Sequence, residues 1–171
     1  MTEALVDEAM KKSGLVWLEL DRARPAWHLW HDGAAYVLTG GADEQPLPGL
    51  PEASTVTVLV RSKDKGSQLV RWVAEVAEIP AGTPEWDEIT PLLFKERLNA
   101  RPQPEDEHER GKAHNPVPRW SHQSWLLKLT PTGEILPPPD GYAAVRPVET
   151  PAANTTRKPF MIGGKRRKID R

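Results

Sequence analysis

The sequence predicts a mainly β fold with flanking helices, and three stretches carry that prediction. Val56, Val58 and Val60 alternate with Thr55, Thr57, Leu59 and Arg61, the period of two that marks a strand. Asp32-Gly33 is a strong two-residue turn signal, because both central positions of such a turn take positive φ. Thr83-Pro84-Glu85 has the form of a helix start: a capping hydroxyl, a first-turn proline and an acid.

Composition bounds what these elements can build. At 171 residues the chain has room for one ordinary domain plus tails. Hydrophobic residues make up 38%, and the shortfall lies mostly after residue 100, so the core is expected from the first hundred residues. The absence of cysteine excludes disulfides, thiolate metal sites and a cysteine nucleophile. No apolar run approaches the roughly 20 residues of a membrane span. Residues 1–12 carry acids and lack the basic-then-apolar order of a signal peptide, which makes a soluble cytoplasmic protein the expectation. Net charge is −1, but residues 157–171 hold seven basic side chains against Asp170, a balance of +6 that leaves −7 for the preceding 156 residues.

The elements follow in order. Residues 3–13 read as an amphipathic helix, with Thr2 as cap, Leu5, Val6, Ala9 and Met10 at helical spacing, and Lys11-Lys12 at the C-terminal dipole. Gly14 is placed to end it in a left-handed conformation. A strand over 15–20 is ended by the run from Asp21 to Pro25. A hairpin spans 27–39 with arms 27–31 and 35–39; Trp27, Leu29 and His31 share one face, His28 and Trp30 the other. Residues 40–53, with two glycines at the start and Pro46, Pro48 and Pro51, form a loop. After the strand at 55–61, residues 67–78 fit either a strand or a helical stripe of Leu69, Trp72, Val73 and Val76. Pro91 divides the next helix into one turn at 84–89 and a second piece from about 91 to 99. Residues 100–118 turn to Pro, Glu, Arg and His and read as an exposed excursion. A last strand at 125–130 ends in the turn Pro131-Thr132-Gly133. The domain is thus expected over 1–147, with a disordered basic tail at 148–171.

That order, together with Gly14-Leu15-Val16-Trp17-Leu18, Trp30-His31-Asp32-Gly33, Tyr36-Val37-Leu38-Thr39, Val56-Thr57-Val58 and Ala74-Glu75-Val76 running into Pro84-Glu85-Trp86, resembles the flavin-binding split β-barrel family of pyridoxamine-phosphate-oxidase-like proteins. The resemblance covers roughly residues 4–99. It implies a split β-barrel of the FMN-binding type, an oxidoreductase activity, and a homodimer with FMN, or less readily a deazaflavin, in a groove at the dimer interface. Family members place basic residues after the strand matching 36–39, whereas here the chain reads Gly40-Gly41-Ala42-Asp43-Glu44-Gln45. An acid about 4 Å from a phosphate, at an effective dielectric near 20, costs about 4 kcal/mol per unit charge. The remaining cations are Arg61 and Lys63 around Ser62, which either hold the flavin phosphate or form the solvated tip of a loop. In the flavin reading the ring lies against Trp30 or Trp72.

Other constellations are weaker. His28 and His31 fall on opposite faces of a strand and no nearby acid completes a site, so they read as structural or surface groups rather than metal ligands. His108, His114 and His122 lie in or beside the acidic excursion, where solvation explains them better than metal binding. Trp17, Trp30 and Trp72 are expected in the barrel core or a dimer interface. The tail carries Phe160 in a short apolar motif followed by Lys165, Arg166, Arg167 and Lys168. It could dock a protein, neutralise nucleic-acid phosphates in a salt-dependent manner, or simply solubilise the chain. The second function reading is therefore a cofactor-free, non-catalytic interaction protein that recruits a partner through this tail.

Overall fold

The structure is a computed structural model that describes residues 2–41, 44–61, 68–97 and 116–137, all within the compact unit Met1–Pro138. Helix α1 (Thr2–Lys12) precedes strands β1 (Leu15–Glu19), β2 (Ala23–Trp27), β3 (Leu29–His31), β4 (Ala34–Thr39), β5 (Thr55–Arg61) and β6 (Gln68–Ile79). Helices α2 (Pro84–Glu96) and α3 (Val117–Gln123) then lead into β7 (Trp125–Ile135). The seven strands form one antiparallel sheet in the order β2-β1-β5-β6-β7-β4-β3.

The order forces curvature. Its two edge strands, β2 and β3, are consecutive in the chain and separated by His28 alone. A sheet whose opposite edges are joined by one residue must curl until they meet, and the result is the split β-barrel. At the seam the Gln45 carboxamide stands in for a missing strand neighbour. Its Oε1 accepts from the Trp27 amide at 2.9 Å, and its Nε2 donates to the carbonyls of Trp27 at 3.1 Å and Leu38 at 3.0 Å.

Alternation sorts the side chains. Val16, Leu18, Ala26, Ala35, Val37, Val56, Val58, Val60, Trp72, Ala74, Leu127 and Leu129 point inward, where Val6, Ala9 and Met10 of α1 join them. Tyr36, Leu38, Ile79 and Leu126 point outward beneath Trp86, Ile89 and Leu93 of α2 and Trp120 of α3. Leu5, which the helical spacing placed in the buried stripe, is 48% exposed.

Several expectations need correcting. The run from Asp21 to Pro25 does not end the first β segment; it turns into β2, which pairs with β1 from Leu15↔Trp27 to Glu19↔Ala23. Pro25 is tolerated there because β2 is an edge strand whose free side needs no donor. Trp27 consequently belongs to β2, and the Asp32-Gly33 hairpin, with φ of 47° and 74° as its turn requires, joins only β3 to β4. Gly14 is not among the left-handed glycines. Residues 68–79 are a strand throughout, because β6 finds partners on both sides, in β5 and in β7.

Pro91 does not divide α2. The carbonyl it deprives of a donor, on Asp87, lies at an exposed position where water can serve it. Thr83 caps this helix as expected, accepting from the Trp86 amide at 3.3 Å. Pro131-Thr132-Gly133 is not a turn: β7 continues through it to Ile135, with a register shift against β6 between Trp72 and Ala74. Helix α3 was not foreseen, since its seven residues follow a polar segment. The boundary at 147 and the tail beyond it lie outside the described residues.

If Gln45 closes the seam, Gln45→Ala should lower unfolding stability by about 1–3 kcal/mol, the cost of stranding buried backbone groups. Urea denaturation would measure this against exposed Glu52→Ala, which should leave stability unchanged. Equal midpoints for the two variants would contradict the bridging role.

Candidate functional site

Arg61 ends β5 in the outward half of the alternation, opposite in sense to Val60. Its guanidinium lies 4.6 Å from the centroid of the Trp17 ring. Trp17 faces outward on β1 because Val16 and Leu18 on either side of it face the core. Trp17 pairs with Leu59, which in turn pairs with Arg71 on β6, so Trp17, Leu59 and Arg71 form one row across the exterior. Glu19 takes up the charge of Arg71 through two bonds, of 2.9 Å from Nε and 2.6 Å from Nη2. Leu15, two residues before Trp17, is 46% exposed. The exterior here is an indole beneath a guanidinium beside an open aliphatic surface.

The other aromatic candidates lie elsewhere. Trp72 is 1% exposed and fills the barrel interior, pairing with Val58. Trp30 meets it edge to face, with ring centroids 6.3 Å apart and planes at 79°, and its Nε1 donates to Asp7 of α1 at 2.8 Å. Both therefore lie on the opposite side of the sheet from Arg61, already packed. The structure joins Arg61 to Trp17; Trp72 is buried, and Trp30 is partly buried against it. Ser62 and Lys63 lie outside the described residues, as do Phe160, Lys165, Arg166, Arg167 and Lys168 of the tail.

The acidic loop also needs revision. Asp43 is outside the described residues, but the Glu44 side chain is 2% exposed, bonded to Nη1 of Arg97 and 3.7 Å from Nη2 of Arg119. The Trp120 indole Nε1 donates to it at 2.9 Å. Arg97 in turn lies 4.7 Å from the centroid of the Trp27 ring. Glu44 is thus a neutralised, buried carboxylate that ties the loop after β4 to α3 and the end of α2, and it presents no charge to an approaching phosphate. Nothing in the sequence signalled this cluster, whose members are 53 and 76 residues from Glu44 in the case of Arg97 and Trp120.

A second polar group fixes α2 to the sheet. Glu85 Oε1 accepts from Tyr36 Oη at 2.9 Å and from Lys128 Nζ at 2.7 Å. The bond from Lys128 holds the Glu85 carboxyl below the usual range, and burial foremost, with Glu85 next, pushes the Tyr36 phenol up. His31 lies at the surface 3.4 Å from Glu88, whereas His28 is buried at the seam. Among the described residues no group of three metal-ligating side chains forms, and no helix is long and apolar enough to cross a membrane.

No family model and no curated protein sequence matches the chain. Among solved structures it is similar to a Listeria innocua protein described as a pyridoxamine 5′-phosphate oxidase. That likeness has 16% identity and a TM-score of 0.49 and covers 80% of this chain and 98% of that one. It is also similar to HutZ, a heme storage protein from Vibrio cholerae, with 12% identity and a TM-score of 0.49, over 79% of this chain and 93% of that one. The chain's own strand order and seam carry the assignment to the split-barrel class.

His28 gives the seam a pH dependence. Its ring bonds the backbone of Met10, its Nδ1 has no partner among the described residues, and burial depresses its pKa from 6.5 to about 4. The unfolded chain therefore takes up a proton that the folded chain refuses, so stability should fall as pH drops from about 6.5 to 4, by up to about 3 kcal/mol. Urea titrations across that range should show the slope in the native chain and a shallower one in His28→Asn. Identical slopes would assign the acid sensitivity to other groups.

Proposed function

We propose that this chain is a flavin-binding split-barrel protein that holds the phosphate of FMN at the outward end of β5. The observation that carries the reading is the placement of Arg61, a cation stacked on an indole beside exposed Leu15 on the exterior of the barrel. A guanidinium suits a phosphoryl group, and an aliphatic and aromatic surface suits a planar ring. Ser62 and Lys63 follow directly in sequence and would add a hydroxyl and a second cation. Neutralisation of Glu44 removes one of the two acids that argued against a phosphate.

The residues fit FMN at this exterior position better than at Trp72, which is buried, and Trp30, which is partly buried and packed edge to face against it. Trp17 takes their place as the ring's neighbour. A bound flavin supplies the redox chemistry, while the residues of this chain bind and orient it. Helices α2 and α3 cover β3, β4 and the ends of β6 and β7, leaving the exterior of β1 and β5 as the surface a second copy would use.

A cofactor-free interaction protein is the second reading, favoured by the burial of Trp72 within the barrel and the packing of Trp30 against it. It expects a colourless protein whose partner is lost when residues 157–171 are deleted, with steep salt dependence if that partner is a nucleic acid.

Absorbance spectra of the purified chain, before and after incubation with excess FMN and desalting, separate the two. Flavin binding expects retained visible flavin bands that disappear in Arg61→Glu while the urea midpoint stays unchanged. A wild-type chain that retains no flavin would overturn the reading.

A further inference from the structure

The barrel rim at the far end of β6 from Arg61 holds a half-exposed tryptophan that neither the core nor the exterior site uses. Trp125 opens β7 and is 47% exposed. Its ring is nevertheless held in place. Gly40 and Gly41 have φ of 86° and 85°, and a Cβ on Gly40 would come within 2.6 Å of Trp125 Cε3, so the loop backbone lies directly against the indole. Ser124 Oγ donates to the Gly40 carbonyl at 3.0 Å and fixes the approach. On β6, Glu78 is exposed and makes no ion pair with any described residue. Trp125 and Glu78 line one cleft of about 260 Å³ with Trp86, His122, Gln123 and Ser124.

We propose that this cleft binds a small organic cation bearing a primary ammonium group. A fixed indole attracts a cation to its face through the ring quadrupole. A carboxylate with no ion-pair partner among the described residues supplies the charge-assisted acceptor, and it carries the only formal charge among these six side chains with histidine taken as neutral. Side-chain oxygens of Gln123 and Ser124 provide acceptors for the remaining N–H groups. A neutral ligand would gain no charge-assisted bond from Glu78, and an anion would be repelled by it. The volume sits just below the roughly 300–1,000 Å³ of drug-sized pockets and so suits a compact ligand. This site stands apart from the flavin reading: it uses other residues at the other end of β6.

Indole N–H signals of the full-length chain in ¹H–¹⁵N NMR test the proposal, with Trp125 assigned through Trp125→Phe. The probes are n-butylammonium, n-butanol and butyrate, matched in size and titrated at equal ionic strength. The ammonium should shift the Trp125 signal saturably and the other two should not. Glu78→Gln, at an exposed position, should weaken the ammonium affinity about tenfold with the spectrum otherwise preserved. Gly40→Ala should displace the indole and weaken binding as well. Equal responses to the alcohol and the ammonium, no saturable shift, or an unchanged affinity in Glu78→Gln would each overturn the proposal.

Discussion

One residue, His28, lies between the two strands that form opposite edges of a seven-stranded sheet, and its position dictates the architecture. An antiparallel sheet can stay open when its edges are far apart in sequence, but not when they are consecutive. Curling is then the only way to satisfy both connectivity and pairing. The gap left at the meeting point is too irregular for a ladder, and the Gln45 side chain fills it with bonds to Trp27 and Leu38. His28 itself is driven inward by this arrangement, where its imidazole sits under the end of α1 as a neutral group.

Closure separates the tryptophans by environment. Because strand neighbours alternate, Trp72 and Trp30 complete an apolar interior while Trp17, on the other side of the sheet, meets Arg61. A ligand on the exterior of β1 and β5 therefore encounters cation and indole together at the end of β5. The interior aromatic pair acts through packing, with Trp30 tied to α1 by its bond to Asp7. Buried polar groups follow the same economy: Glu44 is enclosed because two arginines and an indole satisfy it, and the loop after β4 is thereby held against α3.

Local signals were legible wherever chemistry acts over a few residues. The period of two in β5, the Asp32-Gly33 turn and the Thr83 cap all form as their residue types require. Pro25 and Pro91 misled because their cost depends on surroundings. An edge strand and a solvent-facing carbonyl absorb what a central strand or a buried helix could not. Long-range partners were not legible. The alternation places Trp17 outward, but which cation meets it depends on the pairing of β1 with β5. The union of Glu44 with Arg97 and Arg119 depends on how α2 and α3 dock. The ambiguous run at 68–79 was settled by partners on both sides, not by its own propensity.

Residue-resolved amide hydrogen exchange under native conditions tests the closed barrel most directly, through the Trp27 amide. In an open sheet that amide belongs to an edge strand and exchanges by local fraying. In the barrel it is bonded to Gln45, and it should exchange with a protection comparable to that of Val58 and Leu127 in the central strands. Comparable protection is the result the account predicts. Rapid exchange at Trp27 with the central strands still protected would contradict it and leave the sheet open at the seam.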